Sequence, residues 1–299
     1  MTAPTTEIDL GKGSTGDPGP TPEASPAARP SRGLLHDTWV LAKRGLIHMK
    51  RQPEQLSDAT IQPIMFVVLF AFVFGGSIRI PGFPDEPRVY REFLLAGIMA
   101  QTLVFTAFGA AMSIANDQKN QAIDRFRSLP IARGAVIAGY AVSNLIKTML
   151  PIIIMSVTGY AIGWRIRGSL VETVSAYGLA IAFAFAMIWV GIWLGAMVGT
   201  PEGVTGLGFA VIFPLTFIAS TFVPLQGMPG VVRTIAEWNP VTTLSDSLRE
   251  LFGNPSVAPA GNAPWSLQNP VLYSWIWVAI IICIFAPLAV RAYTKKNVQ

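Results

Sequence analysis

The chain has 299 residues, 52% of them hydrophobic and only 13% charged, with a mean hydropathy of +0.48. A soluble domain carries about 25% charged residues, so most of this chain cannot face water. The net charge is +5, but the basic residues gather at the ends of apolar runs, where they direct topology and make no basic face for nucleic acid.

In chain order, Met1 to Ser31 is rich in Pro, Gly, Ser, Thr and Ala and lacks apolar periodicity. The composition predicts a disordered cytoplasmic leader, residues 1–31. It has neither a basic n-region nor an apolar h-region, so it does not read as a signal peptide. Residues 32–299 form the membrane domain. Leu34 to Arg51 reads as an amphipathic helix: Leu34, Leu35, Trp39, Leu41, Ala42, Leu46 and Met49 share one arc, and Lys43, Arg44, Lys50 and Arg51 occupy the other. A basic amphipathic helix beside a span lies in the headgroup plane; packing on a cytoplasmic partner is the alternative.

Six apolar stretches follow: Ala59 to Ile78, Phe93 to Ala115, Gly134 to Trp164, Thr173 to Thr200, Gly203 to Leu225 and Val271 to Val290. Each is long enough for the ~20 residues that cross a ~30 Å hydrocarbon core. The expected fold is an all-α membrane protein with six transmembrane helices. The third stretch exceeds what a crossing needs, so its helix should project a cytoplasmic foot from near Pro130, a residue suited to a helix start. With Trp164 at the outer interface, Lys147 falls about 25 Å below it, where its ammonium can snorkel.

Orientation follows from Lys and Arg placement. Of the 22 such residues, Arg79, Arg88, Arg91, Arg165, Arg167, Arg233 and Arg249 fall on one side, interleaved with acids that include Asp246. The rest fall on the other, which predicts both termini in the cytoplasm of a multi-pass plasma-membrane protein.

Residues suited to chemistry are scarce. His36 and His48 lie outside the stretches, and no Asp or Glu lies in their cores. Ion-coupled carriers need an intramembrane carboxylate or histidine, and a hydrolase needs a nucleophile with a placed base. There is no G-x-x-x-x-G-K-S/T phosphate loop, so the chain reads as no enzyme and as holding no cofactor, and the energy must come from elsewhere. Gly191, Gly195 and Gly199, with Gly159 and Gly163, form small-residue runs that let helices approach closely, more readily within one subunit than between two.

The second connection is where energy can enter. In Asp124-Arg125-Phe126-Arg127-Ser128-Leu129-Pro130, Ile123, Phe126 and Leu129 recur at helical spacing with charges between them. An aromatic knob flanked by an arginine fork suits docking onto another protein. A polar loop whose arginines only set topology is the plainer reading.

The run DRFRSLPIAR, Asp124 to Arg133, resembles the coupling-helix signature of ABC-2 type permeases, in particular the actinobacterial daunorubicin-resistance branch. PEQLSDATIQP, Pro53 to Pro63, with Phe70, Phe74, Gly75 and Gly76, is similar to that branch's first span. Gly227 to Pro255, GMPGVVRTIAEWNPVTTLSDSLRELFGNP, looks like its outer segment before the last helix. Asn120 and Gln121 stand where the family tends toward a glycine and an acid.

The resemblance implies a permease subunit of an exporter. Two six-helix permeases, identical or paralogous, would form the channel, each docked on a nucleotide-binding ATPase that holds ATP and Mg. Asp124 to Pro130 would be the coupling helix. Trp39, Lys43, Arg44, Lys50 and Arg51 would belong to a connecting helix, and Gly227 to Phe252 to a short outer helical cap. The resemblance places Gln101, Thr102, Thr106, Thr216 and Ser220 near a substrate path. The expected cargo is an amphipathic drug or lipid. A polysaccharide or glycolipid exporter and a membrane-embedded lipid-modifying enzyme are the alternatives.

Overall fold

The computed structural model describes residues 38–40, 43, 47, 53–75, 77–120, 133–257 and 263–295. Every regular element among them is helical. The long elements are α1 (Pro53–Val73), α2 (Pro87–Lys119), α3 (Arg133–Ala161), α4 (Leu170–Val198), α5 (Pro201–Phe217) and α9 (Pro270–Lys295). Between α5 and α9 lie a 3-10 turn (Leu225–Gly227) and the short helices α6 (Gly230–Glu237), α7 (Pro240–Phe252) and α8 (Trp265–Gln268). Thr38, Trp39, Val40, Lys43 and Ile47 are also helical.

Among the described residues, four helical stretches are long and apolar enough to cross a bilayer: Pro87–Lys119, Val136–Ala161, Leu170–Val198 and Pro270–Tyr293. Two apolar stretches are shorter, Ile61–Val73 and Pro201–Phe217. The fifth apolar run was expected to be one helix through Leu225, but α5 ends at Phe217. Pro214 sits in its last turn, where it lacks an N–H for the helical ladder. At about 1.5 Å per residue its 17 residues rise about 25 Å, short of a ~30 Å core. The first helix also differs from expectation, starting at Pro53 and ending at Val73.

Capping residues explain the boundaries of α4 and α7. At α4, the Ser169 hydroxyl accepts from the Glu172 amide (3.3 Å) and Glu172 accepts from the Ser169 amide (2.6 Å), a reciprocal cap that satisfies two otherwise orphaned donors. Asn239 caps α7, accepting from the Val241 amide at 2.8 Å. Gly199 and Gly253 end α4 and α7 with φ of 76° and 65°, a left-handed geometry that glycine adopts without penalty.

The core is organised around α2, whose apolar face is the most enclosed of the long helices. It packs most extensively on α4, and α4 packs next on α9. Close approach of α2 and α4 requires Gly191 and Gly195: a Cβ on Gly191 would lie 2.1 Å from the Ala107 carbonyl oxygen, and one on Gly195 would lie 2.5 Å from that of Ala111. These two residues therefore pack within the protomer. The other members of the small-residue runs divide. Gly159 packs on Leu95 and Trp164, whereas Gly163 and Gly199 occupy positive-φ positions at helix ends and serve to terminate helices.

Two ends of the bundle are identifiable. At the Lys119 end, Lys119 bonds to Glu202 at 2.6 Å, which ties the end of α2 to the start of α5. At the Trp164 end, Arg91 donates to the Ile162 carbonyl at 2.7 Å, joining the start of α2 to the loop after α3. Near the start of α9, Tyr273 makes edge contacts with Trp238, Trp265 and Trp277. Such amphipathic rings favour a membrane–water interface.

Candidate functional site

Asp124, Arg125, Phe126, Arg127, Ser128, Leu129 and Pro130 lie outside the described residues, as do Arg44, Lys50 and Arg51. Trp39 and Lys43 are helical and exposed. α2 delivers the chain at Lys119 and α3 takes it up at Arg133. Tyr140 of α3 donates to Asp117 of α2, and Lys119 pairs with Glu202. The helices on either side of residues 121–132 are thus tied to each other and to α5.

Gln101, Thr216 and Ser220 are buried and Thr102 and Thr106 half-buried. The threonine hydroxyls are satisfied nearby: Thr102 donates to the Ile98 carbonyl (2.8 Å), Thr106 to Leu103 (2.6 Å) and Thr216 to Ile212 (2.9 Å). One exposed stripe of α5 is instead aromatic. Phe209, Phe213 and Phe217 are exposed and follow one another at 5.2 Å between ring centroids. The series continues from Phe217 to Phe222 (5.5 Å), from Phe222 to Phe70 (4.4 Å) and from Phe70 to Phe74 (5.3 Å). Phe108 and Phe105 of α2 join it at Phe209 and Phe213. Their four-residue spacing put the α5 rings on one face in the sequence; the link through Phe222 to α1 is a tertiary fact.

Ionic groups concentrate at the Trp164 end. Glu92, 1% exposed, takes both terminal nitrogens of Arg167, at 2.5 and 2.6 Å. This hydrogen bonding raises the Arg167 pKa above its ordinary value. Arg167 also donates its amide to the Phe252 carbonyl at 2.8 Å, and Trp164 donates to the Asn254 side chain at 2.6 Å. The end of α7 is thereby sewn to the α3–α4 loop. A pocket of about 220 Å³ opens beside Glu92 and Arg167, smaller than the ~300–1,000 Å³ of sites for drug-sized ligands.

Arg249 and Asp246, read from the sequence as residues of an outer connection, belong to the interior. α7 is packed against α2, α4 and α9, and Arg249 is fully buried. Its Nε donates to the Phe93 carbonyl (3.0 Å) and its Nη1 to Asp246 (2.6 Å) and the Ser220 hydroxyl (3.1 Å). Its Nη2 donates to the carbonyls of Ser220 (2.7 Å) and Thr221 (3.4 Å). A guanidinium has five N–H groups, and each has an acceptor here. The Phe93 ring centroid lies 3.5 Å from the guanidinium carbon, a cation–π contact. The sequence signal was present: Thr242, Thr243, Ser245 and Ser247, all small and polar, surround the Asp246–Arg249 pair, a composition that suits close packing.

Among the described residues no group of three His, Cys, Asp or Glu side chains could hold a metal ion.

The ABC-2 type transporter family profile matches residues 36–252. The chain is 28% identical over 274 residues to the daunorubicin resistance ABC transporter permease protein DrrB1 of Streptomyces coeruleorubidus, covering 91% of this chain and 92% of that protein. It is 23% identical over 272 residues to the probable doxorubicin resistance ABC transporter permease protein DrrC of Mycobacterium tuberculosis, covering 87% and 89%. The putative transport permease ycf38 of Cyanophora paradoxa is 23% identical over 235 residues, covering 75% and 76%. A match across residues 36–252, well over half of the chain, places it in the ABC-2 type transporter family.

Proposed function

We propose that this chain is the permease subunit of an ATP-binding cassette exporter that moves an amphipathic drug or lipid-like substrate out across a bacterial plasma membrane. The observation that carries this reading is the near-full-length similarity to permeases named for daunorubicin and doxorubicin resistance. The aromatic face of α5 supports it. Stacked and edge-on rings offer large apolar area with little side-chain entropy to lose, and they suit a partly planar apolar cargo better than an ion.

In this reading ATP and Mg sit on a separate nucleotide-binding subunit, which grips the 124–130 segment. Phe126 would fill a cleft there, and Arg125 or Arg127 would pair with an acid beside it. The chain crosses six times, with α1 and α5 completing their crossings through the segments after Val73 and Phe217. The Lys119 end faces the cytoplasm and the Trp164 end faces out, in keeping with the Lys and Arg asymmetry. A second permease, identical or paralogous, supplies the other half of the channel. The path runs along α2 and α5, past Gln101, Thr102, Thr106, Thr216 and Ser220, with the α5 phenylalanines as its accessible wall.

The test is reconstitution. The purified chain alone should neither bind nor hydrolyse ATP, and addition of the cognate ATPase should give turnover that a substrate stimulates. ATP turnover at ordinary transporter rates by the isolated chain would remove the assignment.

A further inference from the structure

α5 rises only about 25 Å, short of a ~30 Å apolar core, and the chain then runs from Ile218 to Pro224 without regular helix. A helix end leaves carbonyls without intrahelical partners, and in lipid there is no water to take them. Irregular backbone at membrane depth persists only where protein supplies the missing bonds. Here α7 supplies them. Asn239 donates to the Leu215 carbonyl at 2.7 Å. Thr242 accepts from the Ser220 amide at 3.1 Å. Arg249 takes the carbonyls of Ser220 and Thr221 and, through Nε, that of Phe93 on α2. On the α2 side, Tyr90 donates to the Phe222 carbonyl at 3.3 Å. Gly97 lies so close to Thr221 that a Cβ would sit 2.1 Å from the Thr221 carbonyl oxygen.

The contact between this break and α1 has a different character. Phe70 stacks on Phe222 at 4.4 Å with ring planes 22° apart, and Phe70 stacks in turn on Phe74. Stacked rings hold each other through dispersion and a quadrupole preference of only about 0.5–1.5 kcal/mol beyond area burial, and sliding them strands no buried hydrogen-bonding group. A network of directional hydrogen bonds to a buried guanidinium cannot slide in this way, because displacement strands buried donors and acceptors.

We propose that Arg249, with Asn239 and Thr242, is a latch that makes the outer ends of α2, α5 and α7 one rigid body, and that the Phe70–Phe222 stack is the slip plane along which α1 shears when the path opens outward. Arg249 is a positioning residue in this scheme: all five of its N–H groups are engaged by protein, so it has none to offer a substrate. The assignment of an outward-opening step rests on the permease reading. The latch itself rests on geometry alone, and shear of packed elements over a smooth interface is an established mode of conformational change.

The test uses the full chain with Cys283→Ser, reconstituted with its ATPase in lipid nanodiscs and carrying paired nitroxide labels at exposed positions. Val223 and Glu250 report within the latched body; Val223 and Val73 report across the slip plane. Trapping the complex with ADP and vanadate should shift the Val223–Val73 mean distance beyond its resting width, while the Val223–Glu250 mean stays fixed. In the nucleotide-free protein, Arg249→Gln should broaden the Val223–Glu250 distribution, and Arg249→Lys should broaden it less. Equal shifts of both pairs on trapping would overturn the rigid body. An Arg249→Gln chain with wild-type Val223–Glu250 width would overturn the latch. Should Arg249→Gln fail to insert, the pair of distances in the otherwise native chain decides. A complex with no nucleotide response in either pair speaks against the permease reading, and the resting-state comparison still decides the latch.

Discussion

A methyl group at position 191 tests the α2–α4 contact on which the bundle is built. The Cβ of Gly191→Ala would lie 2.1 Å from the Ala107 carbonyl oxygen, 2.8 Å from its carbonyl carbon and 2.9 Å from its Cα. All three are backbone atoms, so no rotamer change relieves the clash and the two helices must separate by about 1 Å to reach ordinary contact distance. Overpacking of this kind costs about 1–3 kcal/mol. The rigid backbone partner puts this case near the top of that range. Alanine's helix propensity returns about 1 kcal/mol relative to glycine, which leaves a net loss of about 2 kcal/mol. For a chain of this size that corresponds to a melting shift of about 4–8 °C. Gly178→Ala is the control, because nothing lies within 4 Å of its added Cβ; it should leave the melting temperature unchanged or raise it slightly. The assay is the fraction of detergent-solubilised protein that stays monodisperse across a temperature series. Gly191→Ala melting with wild type, beside a well-behaved Gly178→Ala, would refute the close α2–α4 packing.

Three further outcomes follow from the account. Phe126→Ala should abolish export and substrate-stimulated ATPase while abundance stays near wild type, since truncating a buried interface aromatic costs about 2 kcal/mol or more; normal transport at normal abundance would make the segment a plain loop. Single cysteines at Asn120 and Asn262, in a Cys283→Ser background, should differ when intact cells meet an impermeant thiol reagent, with Asn262 labelled and Asn120 protected; the reverse pattern would invert the topology. Arg167→Ala leaves the buried Glu92 carboxylate with only Arg88, at 4.0 Å, and Arg167 is itself 41% exposed, so the loss should be below the ~3–5 kcal/mol of a fully buried pair. Glu92→Gln with Arg167→Ala should recover part of the melting temperature, and no recovery would show that the pair is not coupled.

The sequence made the all-helical membrane class legible because hydropathy over about 20 residues is a local property. Glycine spacing anticipated close packing at Gly191 and Gly195, yet it could not separate them from Gly199, whose left-handed φ is set by where α4 stops. The end of α5 at Phe217 was hidden for a related reason. Ile218 to Leu225 is apolar enough to continue a helix, and the break is sustained by Asn239, Thr242 and Arg249 from a segment distant in the chain. Arg249 itself was misplaced because a charge count treats every arginine as solvated. Only the fold brings Phe93, Ser220, Thr221 and Asp246 to its five N–H groups.

The most direct test of the exporter assignment is transport itself, measured in inverted membrane vesicles that contain this chain with and without its cognate ATPase subunit. A fluorescent amphipathic probe cargo should accumulate inside vesicles that hold both subunits, only when ATP and Mg are supplied, and should fall to background with vanadate. Accumulation driven by this chain alone, or abolished by a proton uncoupler while ATP is maintained, would contradict the account.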